Sequence, residues 1–245
     1  MAYRSYRSTL DFGFGYGLTP AVKNLLIANV GAFVLSILAQ AAGLGGLISS
    51  LVLVPYAVTH QLAIWQLVTY MFLHAGFFHI LFNMFALWMF GCELERNWGT
   101  RRFLRYYFLT GIGAGLTVVL LSPFSLVATL GASGAIYGIL LAYGVLFPDR
   151  LIFLYFLIPI KAKYFVMIMG GIEFLSTLSN PGSLVSHVAH LGGMVFGILE
   201  LRGMPVFCDI RNRYYRWRRL RLQRAFNVYM SKKDRDQQRR GPWIH

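Results

Sequence analysis

Six stretches of this chain, at about residues 20–42, 77–95, 103–121, 131–147, 162–178 and 186–201, are apolar and nearly free of charge. A helix that crosses a bilayer needs about 20 such residues, and backbone in hydrocarbon must satisfy its own hydrogen bonds. Few folds meet both demands. The chain is 57% hydrophobic and only 13% charged, more apolar side chain than one soluble domain of 245 residues would hide. The expected fold class is therefore all-α: a polytopic membrane protein with six transmembrane helices.

The spans divide the chain into a short segment, 1–18, a six-helix membrane domain, 19–202, and a basic tail, 203–245. Thr19-Pro20 reads as an N-cap followed by proline at the first helical position. The opening MAYRSYRSTLDFGFGYG has no apolar core ending in small residues, so the first span is expected to serve as the insertion signal. Residues 43–76 contain no Lys or Arg and are too apolar for an ordinary wet loop, so this first loop is expected to be partly membrane-embedded. The fourth span is short, about 25 Å against a core of about 30 Å, which places one of its ends below the surface.

Charge orients the spans. Arg4 and Arg7, then Arg96, Arg101, Arg102 and Arg105, then Arg150, Lys161 and Lys163, and finally the tail all fall on one side. Residues 43–76, 122–130 and 179–185 on the other side have no Lys or Arg, so both termini are expected to be cytoplasmic. From Arg202 onward there are eleven arginines and two lysines against three aspartates, most of the net charge of +14. Such a run, with Tyr214, Tyr215 and Trp217 interleaved, suits single-stranded nucleic acid in principle. Beside a membrane helix it reads better as a contact with anionic lipid headgroups, and no nucleic acid is expected as a partner. Cys92 and Cys208 are too few and too far apart for a disulfide framework and read as apolar fillers.

This topology puts Ser133, His187, His190, His79 and Asn83, from three spans, at one level below the outer surface. Polar groups at such depth are costly and by default face the bundle interior and do a job. A lone membrane serine usually bonds its own helix backbone, and a lone histidine or asparagine often glues two helices. Their coincidence at one depth favours chemistry. Imidazole is the usual base that takes the proton of a serine hydroxyl, which makes Ser133 and His190 a nucleophile and base. His79 and Asn83, four apart on one helical face, and the Ser133 amide are candidate donors to a developing oxyanion. Gly131 and Gly134 clear space for a substrate backbone, and Tyr137, one turn on, reads equally as a ring that packs against the imidazole or as a buried filler. No carboxylate is expected at this level, since Glu93 and Glu95 fall at the cytoplasmic end of the second span and Glu173 lies within the fifth. The residues therefore read as a Ser-His dyad rather than a triad.

These residues resemble the rhomboid family of intramembrane serine proteases. The resemblance rests on Gly131-Ala132-Ser133-Gly134 as a GxSG motif and on Ala189-His190-Leu191-Gly192-Gly193 with Gly193 and Gly197 four apart. It rests also on His79-Ile80-Leu81-Phe82-Asn83 as an HxxxN pair, on Glu95-Arg96-Asn97-Trp98-Gly99-Thr100 as an ExxxG[ST] helix ending, and on His74 in the approach to that helix. It covers about residues 19–201. It implies a six-helix rhomboid fold with the membrane-embedded first loop, an active site opening to the outside, and cleavage of single-span proteins within or near their membrane segments. It also implies a lateral gate in the second half of the fifth span and the residues after it, and a site lined by residues 122–130. A multi-pass protein of a bacterial inner membrane is the expected setting. Two departures stand out: Trp65-Gln66 where many members have Trp-Arg, and His187 where some have Asn.

Three rival readings remain on the sequence alone. His74, His79, His187 and His190 would suit a metal or haem site, but catalytic zinc wants a nearby base such as Glu and none is expected there, so no metal and no cofactor is assigned. A bundle that escorts membrane helices without cutting them would usually lack the serine or the histidine. A transporter would show inverted repeats, and there is no internal duplication.

Overall fold

The structure is a computed structural model and describes residues 17–154, 158–179 and 184–202, with helical backbone also at positions 221, 223, 226 and 230. It forms two units, residues 1–200 and 201–245, and is about 76% helical. The basic tail, most of the 1–18 segment, and the turn at 180–183 lie outside the described residues.

Helix α1 (Pro20–Ala41) starts at its proline, but Thr19 makes no side-chain capping bond. The Glu95 carboxylate does that work, accepting the amides of Ala21 at 2.9 Å and Val22 at 3.0 Å. Two of the unpaired donors at a helix start are satisfied, and a negative charge meets the positive end of the helix dipole. Thr100 donates to the same carboxylate at 2.6 Å, which explains why Glu95 and Thr100 belong to one motif.

The first loop holds three short helices, α2 (Gly45–Ser49), α3 (Pro55–His60) and α4 (Gln66–Thr69), and a 3₁₀ turn over Tyr70–Phe72. Gln66 accepts the Val54 amide at 2.9 Å and donates to the Ser50 carbonyl at 3.2 Å. Trp65 donates to that carbonyl as well, at 3.0 Å. The glutamine thus ties the loop to itself through neutral bonds.

Helices α5 (Phe77–Ala86) and α6 (Cys92–Trp98) form one rod of 22 residues, joined by a π-helical stretch over Leu87–Gly91. Helix α7 (Thr100–Leu121) follows directly from Gly99, whose φ of +79° turns the chain sharply. Helix α8 (Ser133–Leu146) begins at the serine itself, two residues later than the sequence pattern suggests. Helix α9 (Ala162–Ser179) and helix α10 (Leu184–Arg202) follow. Among the described residues, three helices, Pro20–Ala41, Phe77–Trp98 and Thr100–Leu121, are long and apolar enough to cross a membrane, and Ser133–Leu146 is a shorter apolar helix.

One departure from an all-helical chain is a hairpin. Strand β1 (Leu151–Leu154) pairs antiparallel with β2 (Ile158–Lys161), with Leu151 opposite Lys161 and Leu154 opposite Ile158. An apolar run this short has no period that separates strand from helix, so the sequence reads only as an apolar approach to α9.

Glycines hold α8 between its neighbours. A Cβ on Gly134 would stand 2.5 Å from the Ala114 Cβ of α7, and one on Gly138 would stand 2.7 Å from Thr110. On the α10 side, a Cβ on Gly193 would stand 1.9 Å from the Gly134 carbonyl oxygen. Gly197 faces Tyr106, whose hydroxyl donates to the Gly138 carbonyl at 2.8 Å. Small residues at these crossings let backbones meet, the usual device where lipid offers helices no hydrophobic reason to associate.

Candidate active site

The turn before α8 presents the serine. Gly131 has φ +121°, a region that side chains rarely adopt, and a Cβ there would lie 2.8 Å from the His79 ring. Its amide donates to the Tyr70 carbonyl at 2.9 Å, while the Tyr70 hydroxyl donates to the Gly111 carbonyl at 2.6 Å. Leu53 and Thr129 exchange two backbone bonds, at 3.0 and 2.8 Å, and so fasten the first loop to residues 122–130. Ser133 therefore sits at the head of α8 with its turn clamped from the first loop.

His190 comes from α10. Its Nε2 lies 2.8 Å from the Ser133 Oγ, within hydrogen-bond reach. The Tyr137 ring stacks on the imidazole, with centroids 4.3 Å apart and planes 12° from parallel. A cavity of about 110 Å³ opens beside the pair, lined by Tyr70, His79, Thr129, Ser133, Ser186 and His190 among others.

His79 meets this cavity from α5. The Ala75 amide donates to its Nδ1 at 3.3 Å, so Nδ1 is the acceptor and Nε2 carries the proton, on the side facing Gly131. Asn83, one turn on and buried, donates from Nδ2 to the His79 carbonyl at 2.7 Å, which leaves its second amide hydrogen to be placed. His74 is buried with its ring 5.1 Å from that of His79, edge to face, and neither ring nitrogen has a hydrogen-bond partner among the described residues. It lies between α4 and α5, and burial, then the neighbouring His79, pushes its pKa down to about 4.

The expectation that no carboxylate lies at this level is overturned. Glu173 of α9 is buried, with Oε2 2.6 Å from His187 Nδ1 and Oε1 3.0 Å from His190 Nδ1. Tyr137 donates its hydroxyl to the same Oε1. The His190 contact is short in distance, yet its N–H is not aligned for a hydrogen bond. Sequence offered a signal for this: Glu173 and His187 stand seven residues either side of Asn180, within the turn signal Ser179-Asn180-Pro181-Gly182-Ser183. The same three groups bring ligand atoms within 4.8 Å of one another, as a metal site would. Their spacing argues against one, since two ligands about 2.0 Å from a tetrahedral ion stand about 3.3 Å apart, well beyond the 2.6 Å seen here.

A helical, membrane-type chain that pairs a serine and a histidine from separate helices beside a cavity belongs to a narrow class. The Rhomboid domain family model matches residues 61–202, and the chain belongs to the rhomboid family. It is 34% identical over 145 residues to rhomboid protease GluP of Bacillus subtilis, covering 58% of this chain and 26% of that protein. It is 33% identical over 145 residues to RHOMBOID-like protein 1 of Arabidopsis thaliana, covering 58% and 35%. With Rhomboid protein 1, mitochondrial, of Saccharomyces cerevisiae it shares 32% over 134 residues, covering 52% and 38%. The chain thus spans between about a quarter and two fifths of the length of these relatives.

Proposed function

We propose that the protein is an intramembrane serine endopeptidase, with Ser133 as nucleophile and His190 as base, that hydrolyses peptide bonds in or near the membrane segments of other proteins. The observation that carries this reading is the 2.8 Å approach of Ser133 Oγ to His190 Nε2. In the reaction the hydroxyl oxygen bonds to the substrate carbonyl carbon while Nε2 takes the proton. The oxyanion is held by the Ser133 amide, the Nε2–H of His79 and the free amide hydrogen of Asn83. The C–N bond then breaks as His190 returns the proton to the leaving amine, and water, deprotonated by the same imidazole, releases the acyl group. Gly131, Gly134, Gly193 and Gly197 set the backbone approach, Tyr137 and His187 hold the histidine's surroundings, and His74 backs His79.

The membrane setting is a six-span bundle formed by α1, α5–α6, α7, α8, α9 and α10, with the first loop embedded at the outer interface. Support comes from large apolar side chains left exposed on α1 (Ile27, Leu35, Leu38), on α9 (Met167, Ile172, Leu175) and in the loop (Leu47, Leu62, Ile64). Glu93 pairs with both Arg96 and Arg150 past the far end of α8 from Ser133, which fits a cytoplasmic face there and cytoplasmic termini. The basic tail then lies against anionic headgroups.

Reconstitution of the full chain in vesicles with a single-span substrate tests the reading. Cleavage is expected from the wild type and is expected to vanish with Ser133→Ala and with His190→Ala. Retention of most cleavage by either variant would overturn it.

A further inference from the structure

Building on that proteolytic reading, we infer that Glu173 is a positioning residue for the base, so that the reacting pair is the end of a chain running Ser133, His190, Glu173. Glu173 is the sole acidic residue of α9, a helix whose outward face, including Met167, Ile172 and Leu175, is apolar. A carboxylate in such a helix is costly to bury and needs partners that repay it. Among the described residues it has three, drawn from two other helices: Tyr137 of α8, and His187 and His190 of α10.

The arrangement fixes a tautomer. A carboxylate offers acceptors only, so the imidazole nitrogen that faces it carries the hydrogen. Nδ1 of His190 faces Glu173 at 3.0 Å and Nε2 faces Ser133 at 2.8 Å, so the lone pair points at the hydroxyl, as a general base requires. Proton transfer then creates an imidazolium beside a carboxylate. Catalytic contacts that are poorly aligned in a substrate-free enzyme often tighten when substrate is bound, which accounts for an N–H off axis at so short a distance.

The other groups facing His190 cannot replace Glu173. Ser133 and Tyr137 come from α8, His79 lies across the cavity on α5, and His187 is one turn back on α10. Tyr137 stacks on the ring face and sets its plane, but it does not reach Nδ1 with an acceptor, because its hydroxyl is spent on Glu173. His187 grips the second carboxylate oxygen and keeps the carboxylate from turning away.

The test is steady-state cleavage by the reconstituted full chain, with thermal unfolding of each variant and the rate at which a fluorophosphonate labels Ser133. Glu173→Gln is expected to lower kcat and the labelling rate on the order of 100- to 10,000-fold with KM within about threefold, because its amide N–H faces Nδ1 and stabilises the wrong tautomer. Glu173→Asp is expected to restore part of kcat, and Glu173→Ala to be no slower than the Gln variant. A Gln variant that keeps kcat within about threefold of wild type, while Ser133→Ala is inactive, would sink this inference and leave the protease reading intact. Cleavage surviving in Ser133→Ala would instead remove the protease reading. If Glu173→Gln does not fold, Glu173→Asp decides: a lowered unfolding temperature with unchanged kcat assigns Glu173 to helix packing alone.

Discussion

The α-carbon of Gly193 is so close to the Gly134 carbonyl oxygen that a methyl group built on it would stand 1.9 Å away. Helix α10, which carries the histidine, therefore touches the backbone of α8 one residue past the serine. Backbone has no rotamer with which to yield. Gly193→Ala is expected to cost about 1 to 3 kcal/mol of stability and most of the cleavage, whereas Gly171→Ala on α9, with nothing within 4 Å, is expected to gain about 0.5 to 1 kcal/mol. Thermal unfolding in detergent compares the two. Equal responses would show that the crossing is loose.

Gly131→Ala strains a backbone at φ +121° and drives a methyl group into the His79 ring. Strain of this kind costs about 1 to 3 kcal/mol, and the displaced ring loses its place beside the cavity. The expected outcome is a drop in kcat of at least about 100-fold with KM little changed. Normal turnover in this variant would remove His79 from the proposed oxyanion site.

Asn83→Ala is expected to slow turnover less than loss of the serine, on the order of 100-fold, because other donors remain. Single-turnover cleavage separates this from a binding defect. An Asn83 variant as inert as Ser133→Ala would mean that the asparagine supports the helix rather than the oxyanion.

His74 gives a pH signature. With its pKa down at about 4, the folded protein refuses a proton that the unfolded chain binds below about 6.5. Between those values the unfolded state holds more protons, so stability rises with pH and is lost as pH falls from about 6.5 toward 4. The loss attributable to this residue is about 2 to 3 kcal/mol. His74→Leu is expected to flatten that acid limb of the unfolding curve, and an unchanged slope would contradict it.

Metal chemistry at Glu173, His187 and His190 is separable by experiment. Treatment with a chelator is expected to leave cleavage unchanged, because the proposed steps use only side chains and water. Activity lost to a chelator and restored by zinc would reverse the assignment of these three residues.

Much of the site was legible in the sequence because its chemistry is local. Gly131 to Gly134 and His79 to Asn83 each lie within one turn and its approach, and the positive-inside pattern set Ser133 and His190 at one depth. Glu173 escaped because no local motif surrounds it, and because the partners that reveal it, His187 and His190, lie on another helix. The β1–β2 hairpin escaped for another reason, since a four-residue apolar run has no distinguishing period. Thr19 looked like a cap, yet the cap is Glu95, which is 76 residues away along the chain and close only in the fold.

The order of the helices along the chain has a consequence for biosynthesis. The hydroxyl sits on α8 and the imidazole on α10, the last element of the bundle. A nascent chain passing through the insertion machinery carries a serine with no base beside it. Under the proposed mechanism, a chain cut short before α10 lacks the base for Ser133, so the ability to cleave is expected to arrive only when this helix has joined the others.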